Sequence, residues 1–369
     1  MANPLDPMEK TYAANPPPVS RKTYPIAGIV TTVFGLDELP ASASEVACLW
    51  LLHPRLATQE RMAPIADSVI ADWNNRIREG RAGPGPKAKG LIAVSFDQRN
   101  HGTRIVDPLA NEAWKQGNPR HAQDMFSIFQ GTARDTSLLI DYLPSYIFPK
   151  SERRISTHLA LGVSLGGHAT WSCILHEPRI TAGIVIIGCP DYVNLMADRA
   201  RLSKLPSWTA TTPPGSQFLG SEAFPHSLLE TVRKYDLASL LLSHTDIGSK
   251  DEPLRDGPLP EPLEKEKEAL RPLLTRCLAG KKILNLSGGA DKLVPYHRGE
   301  SILTWLKKAI APGGWFADGG VSFEDIIFEK AGHEVTPGMI HEVVRFVGET
   351  LSAGDDGPAR VGSVRESKM

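Results

Sequence analysis

The sequence predicts an α/β protein whose mostly parallel sheet is flanked by helices on both faces. Short apolar runs rich in β-branched residues alternate with longer segments in which apolar residues recur at helical spacing. Connections that contain glycine and proline separate the two kinds of segment. Such an alternation implies right-handed crossovers and therefore parallel strand pairing. The 369 residues exceed a typical domain, so we expect one main domain that carries a smaller inserted unit.

The first predicted elements are two strands, a helix and a third strand. Residues 23–34 and 46–53 are rich in β-branched and aromatic side chains, which predicts strands. Helical spacing of apolar residues between 59 and 79 predicts a helix, and the GRAGPGPKAKG loop at 80–90 ends it. LIAVSF at 91–96 is typical of a strand that is buried on both faces.

The alternation continues to residue 188 and resumes after residue 280. The predicted elements are a helix at 123–142, a strand at 158–163, a helix at about 165–176, a strand at 180–188, the strand KILNLSG, a helix through ILTWLKKAI, the strand SFEDIIFEK and a final helix through MIHEVVRFVGETL. The intervening stretch lacks this rhythm and contains a charged run, EPLEKEKEAL, which is typical of a solvated helix face. We therefore predict an insertion between two strands of the core.

These patterns divide the chain into five predicted segments. Both ends are polar, and the N-terminal end is also rich in proline, which predicts flexible termini. The segments are a flexible N-terminal part (1–22), a core in two parts (23–189 and 281–352), the insertion (190–280) and a flexible C-terminal tail (353–369).

Composition and charge exclude several classes of partner. The chain has 41 basic and 42 acidic residues, and no long basic run could follow a phosphate backbone, so a nucleic-acid partner is not expected. No apolar stretch reaches the roughly 18 residues of a membrane span, and the N-terminus lacks the apolar region of a signal peptide. We expect a soluble, intracellular protein whose four widely spaced cysteines are buried thiols.

The C-terminal tripeptide Ser367, Lys368 and Met369 resembles the S-K-L address of peroxisomal proteins. It predicts recognition by a peroxisomal import receptor, and an incidental tripeptide at a frayed end is the alternative. The first interpretation places the protein in the peroxisome, and the second places it in the cytoplasm.

A candidate nucleophile lies at the junction of a predicted strand and a predicted helix. Residues 162–166 read GVSLG, which fits the pattern G-x-S-x-G, and a buried strand precedes it while an apolar helix follows. So sharp a turn places the serine in strained backbone geometry and exposes its hydroxyl at the carboxyl end of the sheet. This context predicts that Ser164 is a nucleophile. The alternative is a glycine-rich packing turn with an incidental serine.

A serine hydroxyl needs a base, and the base needs an acid that orients it. Asp291 follows the strand 282–287 in LSGGADKLVP, and His333 follows the strand 323–330 in FEKAGHEV. The order Ser, Asp, His is the one expected for this topology. Asp291 could instead be a turn residue or a helix N-cap, and His333 a surface histidine. Asp191 follows the predicted strand at 180–188 and is the alternative candidate for this acid, as well as a candidate pocket residue.

In these and related motifs, the chain resembles the α/β-hydrolase superfamily over roughly residues 24–350. The motifs are GVSLGG, the acid in GGADKLVP, the histidine in AGHE and the loop VSFDQRNHG at 94–102, in which Asn100 replaces the commoner glycine. The resemblance implies an eight-stranded sheet and a lid inserted after the sixth strand. The irregular segment 190–280 matches that lid.

The resemblance also implies an oxyanion hole with two backbone donors. One donor is the N–H of Leu165, just after the nucleophile. The second comes from the loop after the third strand, where this chain reads His53-Pro54-Arg55 instead of the commoner His-Gly. Because proline has no N–H, we assign the second donor to Arg55 or Leu56, and we expect His53 to line the pocket.

Other polar candidates have structural interpretations. Asp97, Arg99 and His101 are expected to lock the loop after the fourth strand, and His168 to pack on its helix. No His/Cys/Asp cluster has metal-ligand spacing, and no phosphate-binding glycine motif occurs, so neither a metal nor a nucleotide cofactor is expected.

The sequence therefore predicts a cofactor-independent serine hydrolase that resembles carboxylesterases and thioesterases. The expected substrate is an ester, thioester or lactone of a small to medium apolar acyl compound. Three alternatives stay open: an acyltransferase with the same triad, a peptidase, and a ligand-binding protein that keeps only the fold. An acyl-enzyme test on Ser164 separates the last alternative from the others.

Overall fold

The computed structural model describes residues 6–9, 16–83, 88–246 and 253–353. Its centre is an eight-stranded sheet. The strands are β1 (Arg21–Ile26), β2 (Ile29–Phe34), β3 (Glu45–Leu52), β4 (Gly90–Phe96), β5 (Arg154–Val163), β6 (Ile180–Ile186), β7 (Lys282–Gly288) and β8 (Ser322–Phe328). The helices are α1 (Ala63–Arg78), α2 (His121–Ile147), α3 (Leu165–His176), α4 (Tyr192–Leu202), α5 (Pro206–Thr209), α6 (His226–Tyr235), α7 (Leu237–Leu242), α8 (Glu264–Leu278), α9 (His297–Ile310) and α10 (Pro337–Ser352).

The sheet has the order β1-β2-β4-β3-β5-β6-β7-β8. Strand β2 pairs antiparallel with β1 and β4, and all other neighbours pair in parallel. This is the topology of the α/β-hydrolase fold, so the predicted fold is confirmed. Since β3 to β8 all run in one direction, their carboxyl ends form a single edge of the sheet, where ligands bind in open α/β folds.

Helices cover both faces of the sheet. Along β3, Cys48 and Trp50 belong to the apolar layer formed with α2 and α3, whereas Leu49 and Leu51 belong to the layer formed with α1 and α10. Both sets are fully buried. This two-sided burial explains why the central strands are continuous apolar runs with no polar alternation.

One predicted strand is wrong. Residues 23–34 form a hairpin of two strands, because Ala27 and Gly28 turn the chain with φ values of 50° and 77°. Two successive residues with positive φ give a turn whose twist matches paired antiparallel strands. The Ala-Gly pair inside an apolar stretch was the available sign of this turn.

Parts of the segment predicted to be flexible, 1–22, contact the core. The Val335 N–H donates to the Pro7 carbonyl oxygen at 2.7 Å, Met8 is buried, and the Val19 N–H donates to the Asp67 carboxylate at 3.0 Å. The predicted tail beyond residue 353, with the tripeptide Ser367–Met369, lies outside the described residues. None of the described helices combines the length and apolar character that crossing a bilayer requires.

The segment between β6 and β7 carries α4 to α8. Its aromatic residues are not scattered over a surface: Phe218 and Phe224 are fully buried in the same apolar layer as α2 and α3. The Tyr192 hydroxyl, at the start of α4, donates to the Ala122 carbonyl oxygen in α2 at 2.6 Å. The segment is thereby attached to the core beside α2, and its role as a lid stays a prediction.

Candidate active site

The turn between β5 and α3 places Ser164 in strained backbone geometry. Its φ is 55° and its ψ is −110°, a conformation that non-glycine residues avoid. A Cβ atom on Gly162 would lie 2.0 Å from the Gly166 carbonyl oxygen, and one on Gly166 would lie 2.0 Å from the Leu52 carbonyl oxygen. Glycine is required at both positions because backbone comes so close there.

Three side chains from separate strand ends form a line of hydrogen bonds. The Ser164 Oγ lies 2.9 Å from His333 Nε2, and His333 Nδ1 lies 2.8 Å from Asp291 Oδ2. With Nδ1–H donating to the carboxylate, Nε2 presents its lone pair to the serine hydroxyl. This arrangement can accept the hydroxyl proton while the oxygen attacks a carbonyl carbon.

Backbone contacts hold the acid and the histidine together. The Gly289 N–H donates to the Phe328 carbonyl oxygen and the Ala290 N–H to the Ala331 carbonyl oxygen, each at 2.9 Å. These bonds join the loop after β7 to the loop after β8. The separation between the carboxylate and the imidazole is therefore fixed by main-chain atoms.

Asp291 is buried but well supplied with donors. Its Oδ1 accepts hydrogen bonds from the N–H groups of Leu293 at 2.8 Å and Val294 at 2.9 Å. Burial alone would raise the pKa of Asp291, but the bonds from His333 and from these two amides outweigh it and hold the pKa below its usual value. The carboxylate is therefore ionised at neutral pH.

The candidate oxyanion donors surround Ser164. Leu165 is the first residue of α3, where backbone N–H groups lack partners within the helix. Arg55 and Leu56 lie in the loop after β3, and Leu56 has a positive φ of 63°. Among the described residues, neither of their N–H groups makes a hydrogen bond. Both are free to bind an anion, so the choice between them stays open.

His53 does not line the pocket, contrary to expectation. Its ring is fully buried, its Nε2 accepts a bond from the Gln98 N–H at 2.9 Å, and its Nδ1–H donates to the Pro54 carbonyl oxygen at 2.8 Å. Burial, with help from the neighbouring His101, lowers the pKa of His53 to about 4. The neutral ring therefore positions the loop that carries Arg55.

Asp191, the rival acid, is likewise placed elsewhere. Its carboxylate is buried and pairs with the Arg255 guanidinium, whose Nε lies 2.9 Å from Oδ2. It also accepts the Asn194 N–H at 3.1 Å as the N-cap of α4. The structure joins His333 to Asp291 and not to Asp191, which contradicts the interpretation of Asp191 as triad acid or pocket residue.

The loop after β4 is locked as expected. The Asp97 carboxylate accepts the N–H groups of Gln59 at 2.9 Å and Thr103 at 2.8 Å, and Arg99 pairs with Asp135 at 2.8 Å. The His101 ring is buried with its Nδ1 2.9 Å from the Arg99 carbonyl oxygen.

His168 is packed as predicted. The ring is buried, its Nδ1 lies 3.0 Å from the Cys189 carbonyl oxygen, and burial lowers its pKa to about 3. It is therefore a neutral ring.

A cavity of about 300 Å³ lies over Ser164 and His333. Its other lining residues are Asp6, Pro7, Pro54, Arg55, Leu56, Ala57, Arg61 and Leu293. Two of these, Asp6 and Pro7, come from the N-terminal segment, and the Asp6 carboxylate pairs with the Arg61 guanidinium. No pattern in the sequence predicts this wall, because its contacts join residues more than 50 positions apart and follow no periodicity.

Arg199, on α4, is another residue that sequence reasoning missed. Its NH2 group donates to the carbonyl oxygen of Leu293, a lining residue, at 3.1 Å. No motif singles out this arginine, because it lies within an amphipathic helix. Among the described residues, no group of three or more His, Cys, Asp or Glu side chains could hold a metal ion.

Comparisons with known proteins find several solved structures that are similar to this chain. Neither a family model nor a curated sequence matches the chain. Similar solved structures include Pyrococcus horikoshii acylaminoacyl peptidase (11% identity, TM-score 0.45, covering 90% of this chain and 41% of that one). Two others are a Mycobacterium tuberculosis puromycin-hydrolyzing peptidase (13%, 0.47, 95% and 42%) and an Agrobacterium tumefaciens S-formylglutathione hydrolase (14%, 0.43, 92% and 95%). The chain spans about two fifths of each peptidase, and identities of this size do not transfer an activity.

Proposed function

We propose that this chain is a serine hydrolase that cleaves a carboxylic ester, thioester or lactone through an acyl-enzyme on Ser164. The observation that carries the proposal is the continuous hydrogen-bonded line from the Ser164 hydroxyl through His333 to Asp291, with separations of 2.9 and 2.8 Å. A serine on a strained turn, aligned with a base and a buried carboxylate, matches what nucleophilic acyl transfer requires.

The proposed reaction has two acyl-transfer steps. His333 accepts the Ser164 proton while Oγ forms a bond to the carbonyl carbon, and the same proton passes to the leaving group as the original bond breaks. Water then gives a proton to His333 while its oxygen forms a bond to the acyl carbon. The bond from that carbon to Oγ breaks, the proton passes from His333 to Oγ, and the acid leaves. Asp291 keeps the imidazole oriented and balances the charge of its protonated form.

The oxyanion of each tetrahedral intermediate needs donors beside Ser164. The N–H of Leu165 at the start of α3 is the first, and the helix dipole adds a favourable field. The second is the N–H of Arg55 or Leu56, neither of which makes a hydrogen bond within the described ranges. Removing one such donor costs about 3 kcal/mol of transition-state stabilisation, so the buried contacts that His53 makes beneath this loop matter for rate.

Fluorophosphonate labelling tests the nucleophile directly. The wild-type protein should be labelled and Ser164→Ala should not. Ser172→Ala, which removes a buried serine of the same helix, is the matched control and should be labelled like wild type. Absence of label from the folded wild type would refute the proposal.

The nature of the acyl acceptor and of the scissile bond then needs a substrate panel. Aryl esters of increasing acyl length, acyl thioesters and aryl anilides of peptides are compared, with and without added alcohols and amines. Hydrolysis of esters with free acid as product supports the proposal. Dominant anilide cleavage would indicate a peptidase, and a predominantly acylated acceptor would indicate an acyltransferase.

A further inference from the structure

Two arginines adjoin the candidate active site without a carboxylate partner among the described residues. Arg55 lines the cavity together with Ser164 and His333, and its NH1 group donates to the Asn111 carbonyl oxygen at 2.6 Å. Arg199 donates to the carbonyl oxygen of Leu293, which lines the same cavity, at 3.1 Å. Within the described part of the chain, the acceptors that bond to these two cations are neutral.

Arg199 is held in place by further neutral groups. Its NH1 lies 3.3 Å from His121 Nε2 and 3.1 Å from the Met125 sulfur. Its Nε is buried and has no hydrogen-bond partner among the described residues. His121 Nδ1–H donates to the Glu112 carbonyl oxygen at 3.0 Å, so its Nε2 is left as an acceptor for the arginine. Among the described residues, none of the groups bonded to Arg199 is a carboxylate, and Asp291 acts on it through charge alone.

The two guanidinium groups belong to one region. Arg55 is anchored on Asn111, and Arg199 reaches the adjacent residue, Glu112, through His121. Burial is the main cause that lowers the pKa of Arg199, to about 10, and the charge of Arg55 lowers it further. Burial also lowers the pKa of Arg55. An anion between the two groups would relieve both effects.

Two other arginines whose side chains expose little surface are paired with acids. Arg255 pairs with Asp191, and Arg298 lies 3.0 Å from the Asp256 carboxylate. In the cavity wall itself, Arg61 pairs with Asp6. Arg55 and Arg199 are partly buried, and the acids that act on them, Glu112 and Asp291, do so through charge and without a hydrogen bond to the guanidinium. Since a shielded cation without a bonded counter-charge is costly, two such cations beside a nucleophile indicate that a bonded counter-charge arrives with a ligand.

We propose that the substrate carries a carboxylate in addition to its scissile carbonyl, and that Arg55 and Arg199 bind this carboxylate while Ser164 attacks. This substrate class, which rests on the proposed function, includes the monoesters and monothioesters of dicarboxylic acids. It replaces the expectation of a purely apolar acyl group. The planar forks of two guanidinium groups suit a carboxylate, which offers two acceptor oxygens.

Paired substrates test the inference in the full-length protein. An aryl monoester of glutaric acid is compared with the aryl pentanoate, which is neutral and of equal acyl length. We expect the wild type to prefer the charged ester, and Arg199→Gln to lower that preference about 10- to 100-fold, mainly through KM, as expected for loss of a charge-assisted hydrogen bond. An aryl ester whose carboxylate is on the leaving group tells which half of the substrate the arginines hold.

Several variants separate the loss of an arginine charge from a general effect of substitution. Arg199→Lys keeps the charge and should retain part of the preference, and Arg55→Gln should lower it while leaving its backbone N–H in place. Arg233→Gln removes an exposed arginine of α6 and should leave the ratio unchanged. If Arg199→Gln fails to fold, Arg55→Gln decides. A wild type that is labelled at Ser164 and cleaves both esters equally well overturns the inference but leaves the proposed function intact.

Binding separates the inference from catalysis. Glutarate should bind Ser164→Ala in calorimetry, and the additional change Arg199→Gln should abolish that binding. Saturable binding by a protein that neither labels nor hydrolyses would support the anion site while refuting the serine hydrolase. Tight binding of inorganic phosphate without binding of glutarate would overturn the assignment of a carboxylate.

Discussion

Replacement of Asp291 by asparagine should leave the fold intact and reverse the proton arrangement of His333. Asp291 Oδ1 accepts two backbone N–H groups, from Leu293 and Val294, while Oδ2 accepts His333 Nδ1–H. Asparagine has one oxygen, and two amide donors attract it more strongly than one imidazole donor. The NH2 group then points at Nδ1, which must become an acceptor. The ring proton moves to Nε2 and blocks the Ser164 hydroxyl.

The magnitude follows from the bonds that each orientation forms. The productive orientation turns the NH2 group toward the N–H donors of Leu293 and Val294, and the loss of those two bonds costs about 2–6 kcal/mol. At about 1.4 kcal/mol for each tenfold change, only a fraction of about 10⁻¹ to 10⁻⁴ of the molecules remains competent. We therefore expect kcat for an aryl ester to fall by more than tenfold and up to about 10⁴-fold, with KM nearly unchanged.

The assay is steady-state hydrolysis of an aryl ester by wild type and variant, with circular dichroism as the test of folding. Asp191→Asn is the matched control, because its carboxylate pairs with Arg255. It should lower Tm, since it leaves a buried guanidinium unpaired, while kcat is retained. A folded Asp291→Asn protein with kcat within a factor of ten of wild type would refute the reasoning, as would a larger loss of kcat in Asp191→Asn.

Three further results are expected. Burial lowers the pKa of His158 to about 4, and its Nδ1 accepts the Trp50 indole N–H. Between pH 4 and about 6.5, His158 therefore binds a proton in the unfolded chain but not in the folded one. Between pH 7 and pH 5 the wild type should therefore lose about 2 kcal/mol more unfolding free energy than His158→Asn; equal losses in urea titrations would contradict this. Gly166→Ala should lower the free energy of unfolding by about 3 kcal/mol through overpacking, and should therefore lower Tm. Gly332→Ala should leave Tm unchanged, because a Cβ there meets nothing within 4 Å. Similar melting curves for the two variants would show that the turn at Gly166 can rearrange to accept a side chain. His53→Gln should displace the loop that carries the second oxyanion donor. Because this donor acts mainly in the transition state, kcat should fall about tenfold or more with little change in KM. A change in KM alone would exclude a role of His53 in positioning the donor.

Local patterns explain why much of the fold was predictable. The strand, turn and helix around Ser164 are specified within about fifteen residues: apolar burial on both faces of β5, then glycines where backbone must approach closely. Asp291 and His333 each follow a strand directly, so the parallel pairing of β5 to β8 carries them to the same edge of the sheet. Parallel pairing itself follows from the alternation of strands and helices.

The features that escaped prediction depend on contacts between distant residues. Asp6 and Pro7 reach the cavity because Pro7 binds the backbone of Val335 and Asp6 pairs with Arg61, and no periodicity in the N-terminal sequence signals either contact. Asp191 follows a strand just as Asp291 does, so position alone could not separate them. The two acids differ in their partners: the Asp191 carboxylate pairs with Arg255, from the inserted segment, whereas Asp291 is bonded to His333.

Under the proposed function, rate and specificity depend on separate parts of the chain. The three proposed catalytic side chains come from strand ends that backbone hydrogen bonds connect, such as those from Gly289 and Ala290. The groups that shape the cavity come from the N-terminal segment, the loop after β3 and, through Arg199, the insertion. Asp291 Oδ2 and His333 Nδ1 are bonded to each other, whereas Arg199 is bonded to the Leu293 carbonyl oxygen. We therefore expect substitutions at Arg199 to change KM and substrate preference, and substitutions at Asp291 to change kcat. If Arg199→Gln lowered kcat for charged and neutral esters alike, the arginine would act on the triad itself, and this separation would fail.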